Sequence, residues 1–209
     1  APEGYTYVPD NNFEQALIDL GYDDVLNDFV LTENISSVTS LDVNNKEISD
    51  LTGIEAFTAL DVLRCDNNQL TALDVSSNTA LTELNVDFNQ LTSLDVSKNT
   101  ALTTLWCTQN QLTTLDVSSN TALIQLYCNE NKLTSLDVSK NTALETLDCR
   151  DNQLTSLDVS NNTALTYLHC AGNQLTILNV SKNTDLLGLN CGGNQLTSLD
   201  VTSNIALTH

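Results

Sequence analysis

One stretch of 21 residues, LTSLDVSKNTALTTLWCTQNQ at positions 91–111, decides the fold because it recurs along most of the chain. The pattern LTxLDVSxNTALxxLxCxxNQ returns every 21 residues from about residue 60 to the end. A fixed period of this length is typical of a solenoid, in which each repeat forms one turn and packs on its neighbours. The sequence therefore predicts a right-handed coil of about eight turns.

Two asparagines mark the corners of every turn and keep the same spacing. The first column contains Asn68, Asn89, Asn110, Asn131, Asn152, Asn173 and Asn194. The second column contains Asn78, Asn99, Asn120, Asn141, Asn162, Asn183 and Asn204. A buried asparagine at a sharp corner can hydrogen-bond backbone groups of its own turn and of a neighbouring turn. We therefore predict that both columns are structural.

Two short segments in each turn show the alternation of a β-strand. In Leu84-Asn85-Val86, and ten residues later in Leu94-Asp95-Val96, apolar residues flank one polar residue. Neighbouring side chains on a strand point to opposite faces, so the apolar residues are expected to face inward. The sequence thus predicts parallel short strands on both sides of the coil.

The repeat resembles the leucine-rich repeat family. Its conserved half reads Leu81-x-x-Leu84-x-Val86-x-x-Asn89-x-Leu91, and from Leu60 onward this half is reproduced seven times. An earlier turn from Val38 to Phe57 is 22 residues long and has Lys46 at the asparagine corner. That turn is similar to the internalin type of bacterial repeat. The resemblance implies a leucine-rich repeat solenoid and covers nearly the whole chain.

Residues 1–34 lack the repeat and predict an N-terminal helical cap, with the solenoid at residues 35–209. Asp10 is a suitable N-cap for a helix from about Phe13 to Leu20, and Gly21 can end that helix. An amphipathic helix would cover the apolar end of the solenoid, using Phe13, Ala16, Leu17 and Leu20. Residues 7–14 and 21–24 are similar to the leader of surface leucine-rich repeat proteins from Bacteroidetes.

The other end of the repeat shows no cap. The pattern runs through Val201, Asn204 and Leu207, and His209, which has no assigned role, could be the first residue of a tag. The resemblance implies that further repeats or a C-terminal sorting domain follow. An uncovered end exposes unpaired backbone and apolar side chains, which predicts a homodimer through this end. The alternative is a monomer whose last half-turn frays.

Six cysteines share one inward strand position: Cys65, Cys107, Cys128, Cys149, Cys170 and Cys191. Val86 holds this position in the turn between Cys65 and Cys107, so Cys65 has no thiol on an adjacent turn. Parallel side chains stacked in register do not readily reach the right-angled torsion of a disulfide, and a straight column cannot surround a metal ion tetrahedrally. We predict buried free thiols and no metal site.

Composition and charge exclude several classes of protein. The 27 acidic and 7 basic side chains give a net charge of −20, which repels nucleic acids and anionic lipids. The 41% of apolar residues suffices for a folded core. No apolar run is long enough to span a bilayer, so no membrane insertion is predicted. Ala1 follows no leader, so any targeting segment is expected to lie outside this sequence.

The outward positions of the two strand segments vary to different extents. In the segment that corresponds to Leu94-Asp95-Val96 in each turn, which we call the LDV segment, the outward positions repeat almost unchanged as serine or threonine, aspartate and serine. On the other segment they differ in every turn, from Val62, Arg64 and Asp66 in the first to Gly188, Asn190 and Gly192 in the last. We call this second set the ribbon. It carries the only tryptophan, both arginines and the only histidine besides the last residue.

Variable strand positions are where leucine-rich repeat proteins usually bind partners, so the resemblance points to the ribbon. Aromatic and arginine side chains are also enriched in binding hot spots. The predicted partner-binding residues are Arg64, Phe88, Trp106, Tyr127, Asp148, Arg150, Tyr167 and His169. The alternative is that surface aromatics merely fill strand positions because of their β-propensity.

An aspartate ladder follows the LDV segment and consists of Asp74, Asp95, Asp116, Asp137, Asp158 and Asp200, with Asn179 as the one break. The favoured interpretation is a soluble edge that discourages sheet stacking. A calcium-binding rib is the alternative, although one carboxylate per turn offers few ligands. The acidic group Asp23, Asp24, Asn27 and Asp28 is likewise interpreted as a solvated turn.

Catalysis has little support in the sequence. No serine or cysteine nucleophile points outward beside His169, and no second carboxylate completes an acid/base pair with Asp148. An open ribbon would also fail to exclude water from a reaction. We therefore predict that the chain is not an enzyme and needs no cofactor.

The sequence predicts a secreted or cell-surface bacterial module for adhesion, which binds a protein partner through the ribbon. The alternative is carbohydrate binding, in which Trp106 and Tyr127 stack on sugar rings while Asp148, Arg150 and Asn129 bond hydroxyls. A third hypothesis is ice binding by two threonine columns, which the adjoining aspartates disfavour. These columns are Thr92, Thr113, Thr134, Thr155 and Thr100, Thr121, Thr142, Thr163.

Overall fold

The computed structural model describes residues 1–208, so His209 lies outside the described residues. The chain begins with four short elements: strand β1 (Tyr5–Tyr7), helix α1 (Asn11–Asp19), strand β2 (Phe29–Leu31) and helix α2 (Thr32–Ile35). Strands β1 and β2 pair antiparallel. The expected boundary after residue 34 falls within α2, and the division into two domains stays a prediction.

Helix α1 matches the predicted helix to within two residues at its start. Oδ1 of Asp10 accepts hydrogen bonds from the backbone N–H groups of Asn12 and Phe13 at 2.9 and 3.0 Å. Gly21, at φ 81°, follows the C-terminal end of the helix. Leu20 was expected on the buried face but is exposed, because it occupies the C-cap position. The buried residues are Phe13, Glu14, Ala16 and Leu17.

Asp10 also links α1 to the first turn of the solenoid through hydrogen bonds. Its Oδ2 accepts hydrogen bonds from the N–H and the hydroxyl of Ser49, both at 2.8 Å, and from the N–H of Asp50 at 3.0 Å. Nearby, Nδ2 of Asn12 donates to the carbonyl of Glu47 at 3.0 Å. One carboxylate therefore caps the helix and holds it against the coil.

Eight strands form one parallel sheet in chain order. They are β3 (Ser40–Asp42), β4 (Val62–Arg64), β5 (Glu83–Asn85), β6 (Thr104–Trp106), β7 (Gln125–Tyr127), β8 (Thr146–Asp148), β9 (Tyr167–His169) and β10 (Gly188–Asn190). The first connecting turn contains a 3₁₀ helix (Ile54–Ala56). Leu41 pairs with Leu63, a step of 22 residues, and every later step is 21 residues. The predicted leucine-rich repeat solenoid is confirmed.

The opposite side of the coil differs from the sequence-based expectation. The LDV segments form a single bridge, between Asp74 and Asp95, in place of a second set of strands. Oδ1 of Asp95 accepts the N–H of Ser97 at 2.9 Å, a local turn that bends the chain directly after the segment. Adjacent turns are joined here by single backbone bonds, such as Gln90 N–H to the Leu70 carbonyl at 2.8 Å.

The first asparagine column bonds to two turns at once, as predicted. Nδ2 of Asn131 donates to the carbonyl of Cys128 in its own turn at 3.2 Å and to that of Cys107 in the preceding turn at 2.9 Å. Its Oδ1 accepts the N–H of Leu112 at 3.0 Å. The side chain thereby pairs backbone groups that a tight coil would leave buried and unsatisfied.

The second asparagine column uses only its amide nitrogen. Nδ2 of Asn120 donates to the carbonyls of Val96 and Asn99, both at 2.9 Å. Among the described residues, the Oδ1 atoms of this column are buried without a hydrogen-bond partner. The two columns are therefore chemically distinct even though both consist of asparagine.

The core runs the length of the solenoid and is made of inward leucine, valine and cysteine side chains. All six cysteines are free, as predicted; Cys191 is half-buried and the other five are buried. Burial raises the pKa of these thiols, to about 12 for Cys170, where the Cys191 thiol adds to the effect. The thiols therefore stay protonated and act as small apolar side chains.

Two further observations concern residues 1–208. No helix there is both long and apolar enough to cross a membrane. No group of three or more histidine, cysteine, aspartate or glutamate side chains in this range is arranged to hold a metal ion.

Candidate functional site

The parallel register of the sheet stacks the ribbon into columns, with one residue from each strand. The central column contains Arg64, Asn85, Trp106, Tyr127, Asp148, His169 and Asn190. Four of the predicted site residues, from Trp106 to His169, are therefore consecutive neighbours. The geometry follows from the constant 21-residue spacing, since each insertion or deletion would displace the column.

Trp106 on β6 and Tyr127 on β7 form the aromatic centre of the ribbon. Their rings stack with centroids 6.0 Å apart and an interplanar angle of 10°. Both side chains are half-buried, so each retains an exposed part. Each ring restricts the rotation of the other, so both are ordered while part of their surface stays exposed.

Asp148 on β8 is almost covered, with 6% of its surface exposed. Its Oδ2 lies 3.2 Å from Nε of Arg150, a charge contact rather than a well-aligned hydrogen bond. Burial raises the pKa of Asp148, although a hydrogen bond from the Arg150 N–H and the charges of Arg150 and His169 act in the opposite direction. The arginine thus offsets part of the cost of holding a negative charge at this buried position.

An open depression of about 660 Å³ lies beside the aromatic stack. Its lining residues are Tyr127, Thr146, Asp148, Tyr167, His169, Leu189 and Asn190. Tyr167 forms an exposed part of the wall, with 37% of its surface accessible. Four of the eight predicted site residues therefore line one depression in the sheet surface. A fifth, Arg150, does not line it but contacts Asp148.

Arg64 and Phe88 lie apart from this group. Arg64 is separated from Trp106 by Asn85 and pairs with Glu83, with its Nη2 3.1 Å from Oε2. Phe88 is 44% exposed and has a φ of 54°, in the left-handed region that a bulky side chain rarely adopts. Neither residue lines the depression.

A third set of outward residues, at the ends of the strands, is bonded internally. Oδ1 of Asp87 accepts the N–H of Thr108 at 2.6 Å, and the hydroxyl of Thr108 donates to Oδ1 of Asn129 at 2.9 Å. Burial raises the pKa of Asp87 to about 6, with the Asp66 charge adding to it and hydrogen bonds from Thr108 opposing it. These residues hold adjacent turns together.

Comparison with known proteins identifies the repeat. A family model described as leucine rich repeats in two copies matches residues 142–183. The chain is a leucine-rich repeat solenoid. It is similar to internalin J of Listeria monocytogenes, with 46% identity over 72 residues, which is 34% of this chain and 8% of that protein.

Solved structures extend the similarity to nearly the whole solenoid. The functional domain of Listeria internalin J, described as including a cysteine ladder, superposes with a TM-score of 0.77 at 40% identity, over 98% of this chain and 51% of that one. A Leptospira interrogans leucine-rich repeat protein gives 0.70 at 26% identity, over 78% and 45%. Internalin C2 of Listeria gives 0.88 at 20% identity, over 99% and 96%, which shows the fold alone. This chain thus spans about half of the solved internalin J domain.

Sequence reasoning missed three residues of the leucine-rich repeat surface. Thr146, Leu189 and Asn190 line the depression but were not among the predicted site residues. Asn190 was recognisable, since it continues the central column one turn beyond His169. Leu189 was not, because the leucines at this strand position are inward and buried in the preceding turns.

Proposed function

We propose that this solenoid is a module for protein binding and adhesion, with the ribbon as its docking surface. The observation that carries the proposal is the clustering of the Trp106–Tyr127 stack and the adjoining depression on one face. By contrast, the surface formed by the LDV segments, which we call the LDV face, repeats the same small polar residues from turn to turn. A surface that only needs to be soluble has no requirement for this difference.

The chemistry of the ribbon fits a protein partner. Half-buried aromatic rings beside an arginine–carboxylate pair are the composition of a binding hot spot. The open, strand-built surface leaves water in contact with any ligand, which suits binding better than catalysis. We therefore propose a binding protein rather than an enzyme.

We further propose that the module is secreted or displayed on a bacterial cell surface. Support comes from the similarity to internalin J of Listeria and to the Leptospira protein, both bacterial. A net charge of −20 also suits a protein that must stay soluble while it presents an aromatic surface. The resemblance of the N-terminal residues to Bacteroidetes proteins stays a prediction.

Carbohydrate binding is the second candidate, and the depression is the observation that favours it. Tyr127 and Tyr167 border a hollow that also contains Asp148, His169 and Asn190. Aromatic rings can stack on the apolar face of a sugar, while carboxylate and amide groups bond its hydroxyls.

Affinity capture with matched variants tests the proposal. The protein is used as bait in the unchanged form, as Trp106→Ala/Tyr127→Ala, and as Ser135→Ala/Ser156→Ala on the LDV face. Loss of both rings should weaken binding of the captured partner from several-fold to a hundredfold or more, as hot-spot losses of about 1 to 3 kcal/mol imply. Tyr5→Ala, which removes an exposed ring from the cap, is the aromatic control.

The outcomes separate the candidates. Proteins lost with the ribbon variant and kept with both controls support the proposal. Capture that depends on the serines, or survives loss of both rings, places the docking surface elsewhere. A glycan array with the same four proteins favours the second candidate if it gives ring-dependent signals while no protein is captured.

We also propose, for residues 1–209 in isolation, a homodimer through the C-terminal end. Leu199 is 37% exposed, whereas Leu178, its equivalent one turn earlier, is 5% exposed. Val201 differs from Val180 in the same way. Pairing two such ends would bury the apolar cross-section of both copies.

A further inference from the structure

We propose that the depression beside the Trp106–Tyr127 stack takes one lysine side chain of the protein partner. The proposal rests on the proposed function, since it specifies what the partner presents to the ribbon. It is carried by three properties of the depression: aromatic walls, a carboxylate floor, and the absence of lysine and arginine among its lining residues.

The walls suit an alkylammonium side chain. Tyr127 and Tyr167 border the depression, and stacking on Trp106 holds the Tyr127 ring in place. A lysine stem can pack its methylene groups against such rings, and its charged end is attracted to their faces. Leu189 adds an apolar contact at the far side.

The floor supplies the complementary charge. Asp148 is the one carboxylate that lines the hollow, and its neighbour Asp151 adds negative potential. Arg150 and His169 are the basic groups that act on Asp148, and of these two only His169 lines the depression. The surrounding chain, at −20, adds a long-range field that attracts cationic partners.

The geometry favours lysine over arginine. A guanidinium binds a carboxylate best through two parallel hydrogen bonds, which need both oxygens along one edge. Both oxygens of Asp148 already face Arg150, since Oδ1 accepts its N–H at 3.3 Å and Oδ2 lies 3.2 Å from its Nε. An ammonium is a compact charge with three rotatable donors, so it can approach one oxygen and share its other protons with side chains such as Thr146 and Asn190.

Amide NMR titration with single amino-acid probes tests the proposal without the partner. The probes are Nα-acetyl-lysine methylamide, its Nε-acetylated neutral form and the arginine analogue, each added to the whole chain. The lysine probe should shift the amides of Tyr127, Asp148, His169 and Asn190 with an affinity on the order of millimolar. The neutral form should bind at least about tenfold more weakly, because it loses the charged hydrogen bond.

Variants show whether the shifts report the depression. Asp148→Asn keeps the shape and the acceptor for the Arg150 N–H, and should weaken the lysine probe about tenfold. Asp158→Asn removes an equal charge from the exposed LDV face and should leave the affinity for the lysine probe unchanged. Tyr167→Leu, at an exposed position, should weaken binding several-fold without affecting the fold.

Equal binding of the neutral probe, stronger binding of the arginine probe, or an unchanged affinity of Asp148→Asn would each overturn the proposal. Shifts at the same amides by a methyl glycoside but not by the lysine probe would also overturn it, in favour of the carbohydrate candidate. If the ribbon captures a protein partner but the lysine probe does not bind, only this inference fails. If the probe binds while the ring variants capture the same proteins as the unchanged chain, the proposed function fails.

Discussion

At the scale of single residues, the two partly buried carboxylates of the ribbon are held in different ways. Asp148 has Arg150 beside it, whereas Asp87 has no cation among the groups that shift its pKa and lies near the negative charge of Asp66. Burial raises the pKa of both carboxyl groups, and that of Asp87 reaches about 6. At neutral pH the folded chain carries this charge at a cost that the unfolded chain avoids.

The pH dependence of stability follows from the sign of that shift. Between about pH 6 and pH 4 the folded state binds more protons at Asp87 than the unfolded state does, so stability rises as the pH falls. Asp87→Asn should raise the free energy of unfolding at pH 7 and remove this part of the pH dependence. Urea unfolding at pH 7 and pH 4.5 measures both effects. Asp158→Asn, which removes an equal but exposed charge, should show neither.

Residue-scale prediction succeeded for orientation and failed for burial. The alternation of polar and apolar residues predicted that Trp106, Tyr127 and Asp148 face outward, and the strand register places them in one outward column. It did not predict that Asp148 would be nearly covered. Burial of an outward residue depends on the side chains of adjacent turns, which a single strand pattern does not contain.

At the scale of structural elements, the two asparagine columns should differ in how much they stabilise the coil. Asn131→Ala leaves the Leu112 N–H without its partner, while the Cys107 and Cys128 carbonyls each lose one of two asparagine donors. Asn120→Ala also removes two hydrogen bonds but leaves no partner group unpaired, because the Val96 and Asn99 carbonyls keep backbone donors. We expect losses of about 3 and about 2 kcal/mol, respectively. Equilibrium urea unfolding of both variants compares them. A larger loss for Asn120→Ala would contradict the hydrogen-bond assignment of the columns.

The contribution of the Asp10 carboxylate to the stability of the N-terminal cap should depend on pH. Burial acts to raise the pKa of Asp10, but hydrogen bonds from Ser49, Phe13 and Asp50 outweigh it and lower that pKa below its ordinary value. The stability that Asp10 contributes is thus present above about pH 4 and is lost as the pH falls through the lowered value. Asp10→Ala should cost about 2 kcal/mol at pH 7 and speed amide exchange in α1.

Asp19→Ala serves as the control for this prediction. Asp19 lies on the same helix but is exposed, and its ion pair with Lys46 at 3.4 Å should contribute little. Equal effects of the two substitutions on exchange in α1 would show that Asp10 has no special role at the junction.

Element-scale prediction was accurate where a local signal exists. The N-cap at Asp10 and the stop at Gly21 were readable because capping depends on a few adjacent residues. The second set of strands was predicted from the alternation in Leu94-Asp95-Val96 but does not form a sheet. The aspartate at the centre of this segment accepts the N–H of Ser97, a local turn that keeps the extended stretch short.

At the scale of the whole molecule, the exposed apolar residues at the last turn should control association. We expect residues 1–209 in isolation to dimerise with rising concentration, because Leu199 and Val201 are far more exposed than their equivalents one turn earlier. Sedimentation velocity over a range of concentrations measures this. A monomer at all concentrations, with rapid amide exchange confined to residues after about 195, would contradict the dimer.

The overall architecture was predictable because the fixed 21-residue period constrains every turn to the same shape. The depression was not, because it arises where Tyr167, Leu189 and Asn190 from different turns meet around Asp148. Sequence spacing indicated the column but not the volume that the side chains leave open.

Hydrogen–deuterium exchange of the complex with a captured protein tests directly whether the ribbon is the docking surface. We predict slower exchange on strands β6 to β9 upon binding and no change in the LDV segments of the same turns. Slower exchange in the LDV segments, with β6 to β9 unchanged, would contradict the assignment of the ribbon as the docking surface.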